Sequence, residues 1–290
     1  MEEPEGPYPL IVILTFIFFG ASLVYYILVY LDAPFVKKNL KKYLFYRNLQ
    51  RIYQPYLSRY FPFYNALSDR NKLKFERRVQ KFIDMKQFIS RGGIREITPE
   101  MKALVAGSAI QLTFGYPTIY FRHFWRILIY PDDYYSTITQ KYHKGEVNLG
   151  GIIVLSWKNL KDGFRCHADG IHLGLHEMAH ALRLINIVDN PEYDFFDRRI
   201  MQEFDREAKK EILKIRNGQN STSIFREYST TNKDEFFAVA VEIFFEQSKA
   251  FYRHNPRLYR LLSMILKIDP IQLARTGDPK VQRQKSMNSR

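Results

Sequence analysis

Cysteine is almost missing from this sequence. Cys166 stands alone among 290 residues, so no disulfide can close within the chain, which suits a reducing compartment. Its neighbour His167 raises a thiol nucleophile as one reading; a small, half-buried side chain is the plainer one. Basic residues are missing from the start: no Lys or Arg precedes Lys37, and Glu2, Glu3 and Glu5 stand there instead. With no basic start and no A-x-A cleavage pattern, the N-terminus does not read as a secretory signal that is removed. No internal repeat is visible. Neither helix-turn-helix nor zinc-finger spacing occurs, so nucleic-acid binding has no motif to rest on.

Acid is scarce relative to base. Lys plus Arg is 44 against 30 Asp plus Glu, a net charge of +14. Such a balance points to nucleic acid or anionic lipid. The cations cluster beside an apolar run and at the C-terminus, which favours lipid headgroups, and no nucleic-acid partner is expected. The apolar run is residues 10–31, LIVILTFIFFGASLVYYILVYL, without a single charge. As a helix it is long enough to cross a hydrocarbon layer of ~30 Å. Lys37, Lys38, Lys41, Lys42, Arg47 and Arg51 follow it. The positive-inside rule then places the N-terminus outside and the rest in the cytoplasm, as a single-pass protein of the cell (inner) membrane. Lys37 to Lys42 can also rest on anionic membrane lipids.

What remains has the composition of a folded domain, with 46% hydrophobic and 16% aromatic residues to build a large core. Residues 1–9 are a short tail, 32–60 a basic juxtamembrane linker, 61–268 the folded domain and 269–290 a basic tail expected to lack order. Helical periodicity marks residues 68–87, with Leu73, Phe75, Val79, Phe82 and Ile83 on one stripe. Residues 98–113 form a second helix, with Thr98 as N-cap and Pro99 in its first turn. Strand composition marks 124–130 and 151–157. Helices over about 169–186, 198–215, 233–247 and 256–267 complete the chain. Helices, then strands, then helices predict an α+β domain with a small, mostly antiparallel sheet. The strand 152–157 is expected to offer its edge to an extended peptide.

One helix carries chemistry. Residues 173–184 read LGLHEMAHALRL, and His176-Glu177-Met178-Ala179-His180 is an H-E-x-x-H pattern. Residues four apart on a helix lie one above the other, so both imidazoles can share one Zn²⁺ while Glu177 takes the proton of a water beside it. Two His and a Glu within an otherwise apolar helix are costly to bury without such a partner. The alternative is a pair of core histidines bonded to backbone. A catalytic zinc needs a third protein ligand. Glu235, which opens the helix DEFFAVAVEIFFEQ, is the best candidate, and Glu242, two turns on, is its rival. Glu242 can instead accept a hydrogen bond from a ligand imidazole. Tyr228, seven residues before Glu235, is placed to donate to an oxyanion, although spacing alone does not select it among 20 tyrosines.

These segments resemble the Mlc titration factor A family of zinc-dependent peptidases, over about residues 61–245. The resemblance rests on Ala168-Asp169-Gly170, five residues, then His176-Glu177 and Ala179-His180-Ala181-Leu182. It rests also on Tyr228 followed at position 235 by Glu235-Phe236-Phe237-Ala238-Val239-Ala240, and on the runs Val154 to Trp157 and Ile127 to Pro131. It implies a zincin-like domain with His176, His180 and Glu235 as zinc ligands, Glu177 as general base and Tyr228 at the oxyanion. Members are similar to aminopeptidase-like metallopeptidases, and the founding member also binds a transcriptional repressor. Two positions depart from the pattern: Arg183 stands where relatives often have Asp, and His172 where they often have Asn. The expected function is therefore a membrane-anchored zinc metallopeptidase acting on a peptide or protein substrate. The alternative is a zinc-containing binding module that sequesters a cytoplasmic regulatory protein at the membrane.

Overall fold

The computed structural model describes residues 13–23, 26, 49–136, 140–165, 169–218 and 223–280. The chain divides into two units, Met1–Arg47 and Asn48–Arg290. In the first, residues 13–23 are helical, and Phe16, Ile17, Phe18 and Phe19 are exposed. The rest of the apolar run 10–31, apart from residue 26, lies outside the described residues, as do Lys37 to Arg47, Cys166 and His167. Among the described residues no helix is long and apolar enough to cross a membrane.

The second unit is α+β. It begins with α1 (Gln54–Tyr60), α2 (Pro62–Asn65) and α3 (Asp69–Met85), followed by β1 (Gln87–Ser90), α4 (Pro99–Leu112) and β2 (Arg126–Tyr130). A hairpin of β3 (Tyr134–Ser136) and β4 (Lys141–His143) leads into β5 (Gly145–Asn148) and β6 (Ile152–Ser156). The remainder is helical: α5 (Trp157–Asp162), α6 (Leu173–Ile187), α7 (Arg198–Arg216), α8 (Lys233–Glu246), α9 (Ser248–His254), α10 (Pro256–Leu266) and α11 (Pro270–Thr276). The folded unit thus takes in α1, whose Leu57 is fully buried, and α11, whose Leu273 is 4% exposed. Both lie beyond the expected limits at 61 and 268.

The sheet corrects the expectation of mostly antiparallel pairing. Its order is β1-β2-β6-β5, with β1 and β2 parallel, β2 and β6 parallel and only β5 antiparallel to β6. Two causes lie in the sequence. β1 is four residues long and continues the apolar rhythm of α3, so it reads as the end of a helix. The connection from β1 to β2 contains α4, and a helical crossover of that kind is what returns a strand parallel to its neighbour. Ile127, Ile129, Ile153 and Leu155 are fully buried at alternate positions of β2 and β6, the period of a strand with one face on the core. Because β6 is paired on both sides, it has no edge to offer; the free edges belong to β1 and β5.

α4 packs against α1, α3 and α6 and is buried along nearly its whole length because PEMKALVAGSAIQL carries no polar stripe. Thr98 caps it as expected, its Oγ1 accepting from the backbone N–H of Met101 at 3.2 Å. α6 packs on α4 and on α8. α8 is nearly as buried: Phe236 through Val241 are all fully inaccessible. These two helices fix the position of everything that follows.

Candidate metal centre

α6 begins at His172, whose side chain is the helix cap: its Nδ1 accepts from the N–H of Leu175 at 3.2 Å. The ring lies edge-on to Phe164 at 4.3 Å, so His172 serves the helix start. Leu175, Met178, Ala179 and Leu182 of α6 are fully buried. They turn His176 toward a cleft of about 600 Å³ lined by Tyr142, Lys144, Gly145, Asp169, Glu177 and Tyr228.

α8 supplies the carboxylates. Asn232 caps it, accepting from the N–H groups of Asp234 at 2.8 Å and Glu235 at 2.9 Å, which fixes the backbone at Glu235. Arg183, at the departure from the family pattern, pairs with Asp234 at 2.8 Å and with Asp205 at 3.6 Å. It ties α6, α7 and the start of α8 together.

The metal-ligand residues expected from the sequence converge. Nε2 of His176 and Nε2 of His180 are 3.1 Å apart. Oε2 of Glu235 is 3.3 Å from the first, and Oε1 of Glu235 is 3.4 Å from the second. One donor atom from each residue lies within 4.8 Å of the others. Oε2 of Glu235 is buried without a well-formed hydrogen bond despite its closeness to His176. A buried carboxylate oxygen without a donor, facing two imidazole nitrogens, calls for a cation. Two His and one Glu are a ligand set that suits zinc and leaves a position open.

Glu242 does not join this group. Nδ1–H of His176 donates to Oε1 of Glu242 at 2.8 Å, which leaves the Nε2 lone pair aimed at the shared point. Glu242 is itself held by Nη2 of Arg226 at 2.7 Å and by the N–H of His172 at 2.5 Å. It is thus the partner of the His176 imidazole and stands outside the group of His176, His180 and Glu235.

Charge at the site follows burial and pairing. Burial alone would lower the pKa of His176, but the nearby Glu235 carboxylate and the hydrogen bond to Glu242 outweigh it and raise it to about 10. Without an ion, a proton thus takes the cationic place. Burial pulls Glu235 and Glu242 upward, yet the closeness of His176 and His180 to Glu235, and of His176 to Glu242, holds both below the ordinary carboxylate value. Glu177 goes the other way: burial raises it, against the lowering pull of His176 and His180.

Tyr228 sits on a 3-10 turn, Glu227–Thr230, with its ring 6.4 Å from that of His176. It is 57% exposed. Burial of its hydroxyl and the hydrogen bond to Glu235 raise its pKa to about 12, so it remains a donor at neutral pH. Arg226 and Asn232 were not singled out by the sequence. A buried Glu242 in an apolar helix demands a cation, and that demand was the available pointer to Arg226. For the strand β5 there was none.

The family model described as glucose-regulated metallo-peptidase M90 matches residues 36–267. The chain belongs to that family. The H-E-x-x-H helix and the Glu235 helix both lie inside the matched range. An uncharacterized protein of Synechocystis sp. is 27% identical over 247 residues, covering 80% of this chain and 89% of its own length. Mlc titration factor A of Edwardsiella ictaluri is 24% identical over 235 residues, covering 73% of this chain and 85% of that protein. The resemblance expected from the sequence is therefore met from two sides.

Proposed function

We propose that the chain is a zinc metallopeptidase, with His176, His180 and Glu235 as ligands and Glu177 as general base. The observation that carries this reading is the convergence of the two Nε2 atoms and a donorless Glu235 oxygen on one point, beside a cleft that His176 and Glu177 line. A bound Zn²⁺ would supply Lewis acidity and lower the pKa of a water held there. Glu177, beside His176 and raised by burial, accepts the proton of the attacking water and returns it to the leaving amine. The Tyr228 hydroxyl donates to the oxyanion that forms at the scissile carbonyl. Glu242 and Arg226 keep the His176 ring from turning. The free edge of β5 borders the same cleft, so an extended peptide can pair with it, and the exposed ring of Tyr142, 74% accessible, stands at the rim for a substrate side chain.

We place this domain at the cytoplasmic face of a membrane. The support is the uncharged run 10–31, the basic residues after it and the exposed apolar side chains of its described helix. A second reading is favoured by one finding, the name Mlc titration factor A carried by a relative: the domain binds a regulatory protein and its metal is structural. The two readings separate in one experiment on the purified full chain, peptide hydrolysis with and without a chelator, alongside metal analysis. Peptide turnover that stops with chelator and returns with Zn²⁺ supports the peptidase. Bound metal without turnover on a broad peptide library supports the binding module.

A further inference from the structure

Gly145 opens β5 and faces the turn of α6 that carries Glu177. Its backbone does not require glycine, since it is absent from the residues with positive φ. Its surroundings do. A Cβ placed there would lie 2.5 Å from both Cδ and Oε1 of Glu177 and 2.6 Å from Cγ, closer than carbon or oxygen atoms can pack. Glycine inside a strand often marks such a close approach.

Neither wall of this slot is free to give way. β5 is held to β6 by antiparallel pairing that sets Gly145 opposite Leu155, and the adjacent Lys144 carbonyl accepts from the N–H of Ser156 at 2.7 Å. On the other side, Met178 and Ala179 are fully buried and pin α6. Glu177 itself is 5% exposed. An added side chain must therefore displace the carboxyl, the one mobile part. We infer that Gly145 is a positioning residue for Glu177: its missing side chain forms the slot in which the carboxyl lies between β5 and the His176, His180 and Glu235 donors. The role rests on the peptidase reading, because it matters for hydrolysis only if Glu177 handles the proton.

The test uses the full chain loaded with Zn²⁺. In Gly145→Ala, kcat falls roughly 10- to 100-fold, the size of loss that a shift of about 1 Å in a reacting group produces, while KM, zinc content and melting temperature stay near wild type. Crystal structures of wild type and G145A show the Glu177 carboxyl displaced. Glu177→Asp shortens the side chain and relieves the crowding, so G145A costs little further activity in the E177D background, a non-additivity that marks direct coupling. Should G145A lose its fold, combining it with Glu177→Ala restores it, because the colliding group is gone. Wild-type kcat in G145A, an equal loss in both backgrounds, an unmoved Glu177, or failure of the E177A combination to refold overturns the inference. A wild-type chain without peptide turnover sinks the peptidase reading instead, and the crystallographic displacement then decides the slot by itself.

Discussion

The two walls of the cleft are built on different principles. The helical wall, α6 and α8, holds its polar groups by mutual pairing: His176 to Glu242, Glu242 to Arg226 and to the N–H of His172, and Asn232 to the N–H of Glu235. The strand wall, β5 and the β3–β4 hairpin, is short and open, with Tyr135 and Tyr142 exposed and packed ring against ring at 5.5 Å. A wall whose polar atoms are locked by charge-assisted hydrogen bonds suits a metal, which tolerates little error in its ligands. A wall with free backbone and exposed rings suits a substrate that comes and goes. The division teaches that changes to the helical groups converging on the His176–His180–Glu235 point, or bracing them, should alter metal content, and changes to the exposed rings of the strand wall should alter substrate affinity.

That contrast is open to direct attack. The largest effect is expected from Glu235→Ala, which removes one of the three proposed ligands: zinc measured by elemental analysis drops to background and hydrolysis disappears. Retention of stoichiometric zinc would break the contrast on the helical side. Glu242→Gln is expected to weaken zinc affinity about 10- to 100-fold, the usual cost of losing the partner of a ligand imidazole, as read by competition with a chelating dye. Tyr142→Ala is expected to leave zinc untouched and raise KM by a few-fold with kcat kept, measured on a panel of peptides. A change in zinc content in Y142A would erase the distinction between the walls. The smallest effect is Asn232→Ala, the loss of a helix cap worth about 1 kcal/mol. It should lower the melting temperature by roughly 2–4 °C in a domain of this size.

How much of each wall the sequence disclosed follows the same line. The helical wall was legible because a helix converts spacing into geometry: His176 and His180 must share a face, and Glu235 in an apolar helix must find a cation. Glu242 was legible only as a choice between two roles, since the sequence does not say which of two carboxylates on one face comes nearer. The structure puts Glu242 on Nδ1 of His176 and Glu235 beside Nε2. The strand wall was hidden. β5 reads GEVN, with neither the length nor the alternation of a strand, and its place at the sheet edge depends on β2 and β6 pairing in parallel. The expected peptide-binding edge consequently fell on β6, one strand too far inward. Gly145 became visible as a close approach only once β5 and α6 were set side by side.

The proposed hydrolysis depends on Glu177 above all, and one pair of measurements on Glu177→Gln tests that dependence: bound zinc and the rate of peptide hydrolysis, each beside wild type. The prediction is unchanged zinc with kcat reduced by about 10²- to 10⁴-fold, the span expected for loss of a general base. Full zinc with wild-type turnover in that variant would contradict it.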